Sequence, residues 1–137
     1  MPDSAEILVV EDDADDLELT LRVFRKHRLA DRVAVVRDGA AAIQYLASQP
    51  KPRVVLLDLK LPRLSGVEVL KRMRTDERTR HIPVVVLTSS SELVDLDECY
   101  RNGTNSYVVK PVESSEFEAA VYRLSAYWLE LNRTPSS

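Results

Sequence analysis

Cysteine and glycine are scarce in this 137-residue chain, which has one of the first and three of the second. The lone Cys99 cannot close an internal disulfide. The N-terminus also lacks the basic, apolar and small-residue layout of a secretory leader, so a reducing cytoplasm is the expected compartment. Glycines stand only at 39, 66 and 103, which leaves no Gly-rich loop to wrap a nucleotide's phosphates. The longest apolar runs, such as Val54 to Leu57 and Val84 to Leu87, fall far short of the roughly 20 residues that cross a bilayer. An excess of positive charge is missing too. Lys and Arg number 19 against 22 Asp and Glu, a net charge of −3, so neither nucleic acid nor an anionic membrane surface is an expected partner. Repeats, low-complexity stretches and interior linkers are absent. The length suits one domain, expected over residues 5–132, with flexible termini at 1–4 and 133–137 and no output domain.

What the chain does have is alternation. Ile7 to Val10, Val33 to Val36, Val54 to Leu57, Val84 to Leu87 and Tyr107 to Val109 are short apolar runs. Because they are unbroken rather than alternating, they read as strands covered on both faces. Helical spacing fills the intervals. Leu17, Leu21 and Phe24 form one stripe, with Asp15, Glu18, Arg22 and Lys26 opposite. Ala42, Ile43 and Leu46 follow Asp38-Gly39, and Val67, Leu70 and Met73 follow Pro62. A fourth helix runs from about Ser91 to Arg101 with Leu93, Leu96 and Tyr100 on one side. The fifth and longest opens after Pro111, capped by Ser114 or Ser115, and carries Phe117, Val121, Leu124, Trp128 and Leu131. Five strand–helix alternations predict an α/β fold with a parallel sheet.

Ligands in such sheets bind beyond the carboxyl ends of the strands, near the point where strand order reverses. Those ends carry Glu11, Asp12 and Asp13, then Asp58, then Thr88 and Ser89, then Lys110. Carboxylates gathered together must take up protons or share a cation, and an all-oxygen set suits Mg²⁺ or Mn²⁺. Such an ion could neutralise Asp58 and an incoming phosphoryl group, while Lys110 and the Thr88 hydroxyl stabilise its remaining oxygens. Asp13, short and polar ahead of Leu17, is better placed as an N-cap than as a ligand.

The stretches ILVVEDD, VVLLDLKLPRLSG, PVVVLTSS and YVVKP, in this order over nearly the whole chain, resemble the receiver domains of two-component response regulators. The resemblance implies a flavodoxin-like (βα)5 doubly wound sheet of strand order 2-1-3-4-5. It implies Asp58 as phosphoacceptor, Thr88 and Lys110 as catalytic partners, and a metal held by Glu11, Asp12, Asp58 and the Lys60 backbone carbonyl. It further implies a Thr88–Tyr107 switch pair, in which Tyr107 turns inward as Thr88 moves toward the phosphoryl group, and a cis bond before Pro111. The donor would be a histidine kinase or phosphotransfer protein docking on the first helix at Asp15, Glu18, Leu19 and Arg22, with Leu19 apolar on an exposed face.

Output would pass through protein contacts. Homodimerisation is expected through the fourth and fifth helices and fifth strand, with Tyr127, Trp128 and Leu129 as candidates because that stretch is apolar on more than one side. The YWLELN stretch and the long DERTRHIP approach resemble the small response regulators paired with bacterial phytochrome kinases. Two other functions compete. A phosphoaspartyl phosphatase of the haloacid-dehalogenase type would carry a second aspartate two residues after the nucleophile, where this chain has Lys60. A phosphorylation-independent binding module would have lost part of the acid, threonine and lysine set, and here all of it is present. The chain is expected to catalyse its own phosphorylation and dephosphorylation without turning over a small molecule. His27 and His81 lack ligand spacing and carry no expected chemistry.

Overall fold

The computed structural model describes residues 5–134. Five strands, β1 (Ile7–Val10), β2 (Val33–Val36), β3 (Val54–Leu57), β4 (Val84–Thr88) and β5 (Ser106–Val109), form one parallel sheet in the order β2-β1-β3-β4-β5. Four helices connect them, α1 (Ala14–Lys26), α2 (Gly39–Ser48), α3 (Gly66–Thr75) and α4 (Leu93–Arg101), and a fifth, α5 (Ser114–Ala126), follows β5. The predicted flavodoxin-like order is the one found. Residues 1–4 and 135–137 of the expected flexible termini lie outside the described residues.

Strand period explains the two cores. Leu8, Val10, Val55, Leu57, Val84 and Val86 point to one face and meet Ala42, Leu46, Val69, Leu70, Met73 and Cys99 from α2, α3 and α4. Ile7, Val9, Val54, Leu56, Val85 and Leu87 point to the other and meet Leu17, Phe24, Phe117, Val121 and Trp128. Strands β1, β3 and β4 are buried throughout, whereas β2 and β5 are only partly covered because each is an edge.

Four of the five helix starts follow capping chemistry, α4 having no side-chain cap. Asp13 accepts from the Asp16 N–H at 2.9 Å, Asp38 from Ala41 at 2.7 Å and Ser65 from Glu68 at 3.2 Å. The fifth helix departs from expectation: its cap is Glu113, which accepts from the Glu116 N–H at 3.0 Å, so Ser114 and Ser115 are already helical. Its end differs as well. Beyond Ala126 the chain widens into a single turn, Tyr127–Leu131, closed by the Asn132 N–H donating five residues back to Tyr127 at 2.8 Å. That wider turn directs two successive residues, Trp128 and Leu129, into the core, while Tyr127 and Leu131 stay exposed. Trp128 and Leu129 therefore seal the α1–α5 side of the sheet and are not surface groups for a dimer.

In α4 only Leu96 of the expected stripe of Leu93, Leu96 and Tyr100 is even half-buried. Leu93, Val94 and Tyr100 are 72%, 73% and 51% exposed, and the fully buried side chain is Cys99. The helix is only nine residues long and rests on the sheet along the line through Cys99, so residues about a third of a turn away reach solvent.

Candidate functional site

The sheet reverses direction of growth between β1 and β3, and Val10 pairs with Leu57 there. The next residues, Glu11 and Asp58, therefore leave the sheet side by side. Backbone bonds extend the ladders one residue further: Glu11 N–H donates to Val36 at 3.1 Å, Asp58 N–H to Val10 at 3.1 Å and Lys110 N–H to Thr88 at 2.7 Å. These bonds hold the three backbones from which the reactive side chains emerge.

Lys110 reaches across from the end of β5. Its Nζ donates to Glu11 Oε1 at 2.8 Å, to Asp16 Oδ2 at 2.8 Å and to Asp58 Oδ2 at 3.2 Å. The second oxygen of Asp58 accepts the Leu59 N–H at 2.7 Å, and the second oxygen of Glu11 accepts the Asp13 N–H at 3.1 Å. Burial pushes the Glu11 carboxyl up to about 7; the Lys110 hydrogen bond opposes this, and the nearby Asp58 charge adds to it. For Lys110 burial alone would favour the neutral amine. Hydrogen bonds to Asp16 and Glu11, together with the charges of Glu11 and Asp58, outweigh it and raise its pKa, so the ammonium is held charged.

Asp12, Asp13, Asp16, Asp58, Lys60, Ser89 and Lys110 line one open cleft above this pair. Asp12, Asp13 and Lys60 stand exposed at its mouth, Asp13 acting as the α1 cap as expected. Among the described residues no three carboxylate, imidazole or thiolate side chains stand close enough to hold an ion by themselves. The reason is that Glu11 and Asp58 are turned toward Lys110. The donor chemistry nonetheless fits a hard cation: every acidic group in the cleft offers carboxylate oxygen, each oxygen keeps a spare lone pair, and the acids outnumber the lysines.

Thr88 is fully buried, and its Oγ1 lies 3.4 Å from the Ser90 N–H that it accepts. Tyr107 is half-buried against the α2–α4 core, with its hydroxyl donating to the Ser90 carbonyl at 3.0 Å. Ser90 also donates to Asp95 of α4 at 2.5 Å, which links this loop to that helix.

Three expectations need correction here. The bond before Pro111 is trans: trans is intrinsically favoured by about 0.5–1 kcal/mol, and the extended ladder and three carboxylates aim Lys110 without a cis bond. Leu19 is not an apolar residue on a polar face but is partly buried against the α1–α5 core, because α5 flanks α1 and widens its covered arc. Its neighbours Asp15, Glu18 and Arg22 are exposed as expected, with Arg22 paired to Glu118 of α5 at 3.1 Å. Trp128 and Leu129 leave the candidate dimer surface, as described above. The residue that sequence reading missed is Asp16. Its signal was present: it lies four residues before buried Thr20, at the border of the apolar stripe and the first turn of α1, where a short acid can face the strand ends.

This chain belongs to the response regulator receiver domain family, whose model matches residues 7–122. It is 42% identical over 134 residues, 94% of this chain and 86% of the relative, to the probable methanogenesis regulatory protein FilR2 of Methanothrix harundinacea. It is 33% identical to the response regulator Rcp1 of Synechocystis, covering 96% of this chain and 93% of Rcp1. The Mn(2+)-bound structure of Rcp1 superposes with a TM-score of 0.87 over 95% of this chain and 98% of that one. The phosphorylated cyanobacterial phytochrome response regulator RcpA superposes with a TM-score of 0.90 at 32% identity, over 98% of this chain and all of RcpA.

Proposed function

We propose that this receiver accepts a phosphoryl group on Asp58 from a phosphohistidine of a histidine kinase or phosphotransfer protein. The observation that carries the reading is the convergence of Glu11, Asp58 and Lys110 at the β1/β3 switch point, beneath an acid-lined cleft. As an Asp58 oxygen bonds to phosphorus, the donor's phosphorus–nitrogen bond breaks and its electron pair returns to the imidazole. Lys110 is the donor for one phosphoryl oxygen, and the Thr88 hydroxyl for another. Glu11, Asp12, Asp58 and the Lys60 backbone carbonyl would hold Mg²⁺ or Mn²⁺, which when bound supplies positive charge against the phosphoryl oxygens. Reduction of the phosphorylated protein with borohydride, followed by peptide mapping, is expected to convert Asp58 alone to homoserine. Conversion at another acid, with Asp58 intact, would overturn the assignment.

The similarity to RcpA supports a phytochrome kinase as the upstream partner, and the exposed Asp15, Glu18 and Arg22 beside the cleft are its contacts. Output runs through protein contacts in the cytoplasm. The apolar surface that supports a homodimer is the α4–β5–α5 side, where Leu93, Val94, Tyr100, Val109 and Tyr127 are exposed. No described helix is long and apolar enough to cross a membrane.

A further inference from the structure

We propose that Asp16 is a positioning residue that keeps the Lys110 ammonium over the cleft when its other two acceptors are drawn away; the inference rests on Asp58 being the phosphoacceptor. An ammonium has three hydrogens, and here they meet three carboxylates: Glu11, Asp16 and Asp58. Two of the three are residues whose oxygens the proposed chemistry needs elsewhere. Asp58 must present an oxygen to phosphorus, and Glu11 and Asp58 both belong to the proposed cation site. Asp16 has neither duty. Its Oδ2 is as close to Nζ, 2.8 Å, as that of Glu11.

The scaffold behind Asp16 suits a fixed tether. It occupies the third position of α1, where its N–H is capped by Asp13 at 2.9 Å and its carbonyl accepts the Thr20 hydroxyl at 2.8 Å. The amino end of a helix also favours its negative charge. Leu17, Thr20 and Phe24 bury the helix beneath it, so the carboxylate cannot drift with the loops of the cleft. Lys110 is 6% exposed and Asp16 28%, which places the pair at the boundary where a charge-assisted hydrogen bond keeps much of its strength. Without Asp16, Lys110 would fall back on Glu11 and Asp58, the two acids it must release.

The test uses the full chain with lysine labelled in ¹⁵N, the Lys110 ammonium signal being assigned with Lys110→Arg. In wild-type protein the signal is expected to remain sharp and slow to exchange as Mg²⁺ is added. In Asp16→Asn it is expected to broaden or disappear on the same titration. With acetyl phosphate at saturating Mg²⁺, Asp16→Asn should be phosphorylated about tenfold more slowly, the share of one charged hydrogen bond, and Asp16→Glu should recover part of that loss. An unchanged Lys110 signal in Asp16→Asn overturns the proposal, whether or not the rate falls, because the acid would then act only through net charge. If wild-type protein takes no phosphoryl group, the proposed function fails, and the Lys110 signal alone decides whether Asp16 is its tether.

Discussion

Cys99 shows how far a single side chain's surroundings decide its chemistry. It is fully buried on α4, and burial, with Asp95 and Glu98 nearby, pushes its thiol up to about 11. An alkylating reagent at pH 8 is therefore expected to leave the folded protein unmodified and to label it fully in denaturant; rapid labelling of folded protein would contradict the burial. Because the folded thiol keeps its proton where the unfolded one has lost it, stability should fall as pH rises from about 9 through 11. Gly66 makes a second residue-scale case. A Cβ there would meet the Asp58 carbonyl oxygen at 2.3 Å, and backbone cannot yield as a side-chain tip can. Gly66→Ala should cost about 2 kcal/mol or more in a denaturant melt and slow phosphorylation by displacing Asp58. The places of Asp58, Lys110 and Thr88 at the strand ends were legible because each directly follows or ends an apolar run. The contact of Asp16 with Lys110 was not, since it depends on which way the first turn of α1 faces.

Among the elements, α3 is held by one side chain that no pattern advertises. Arg74 donates to the carbonyls of Gly103, Arg80 and Ile82 and to Asn105 Oδ1, all at 2.9–3.1 Å, tying the helix to the loops before β4 and β5. Arg74→Ala is expected to lose about 2–3 kcal/mol, because several carbonyls lose a charged donor at once. Arg72→Ala, exposed on the same helix, should change stability by less than about 0.5 kcal/mol. Equal effects would remove Arg74 from this role. The last turn gives a parallel contrast. Trp128→Ala should cost about 3–5 kcal/mol, and Tyr127→Ala far less, since only Trp128 is buried. Helical periodicity located both helices but misjudged the inward face of α4 and the C-terminal turn. A nine-residue helix has too few turns to define its buried line, and a five-residue turn breaks the period on which the reading depended.

At the scale of the whole molecule, strand order and fold class followed from the alternation of apolar runs and helices together with the resemblance of four motifs in order. What a linear pattern could not supply was surface: Leu93, Val94, Tyr100 and Val109 are spread over α4 and β5 and become one side of the protein only on folding. If that side is the homodimer surface, light scattering should give twice the 15.5 kDa chain mass for the wild type and the single mass for Leu93→Asp combined with Val94→Asp. The central claim, a Mg²⁺-dependent phosphoryl acceptor at Asp58, is tested most directly by intact mass after incubation with acetyl phosphate. The wild type is expected to gain one phosphoryl group with Mg²⁺ and none with EDTA, and Asp58→Asn none under either condition. An equal gain in Asp58→Asn, or no gain in the wild type with Mg²⁺, would contradict it.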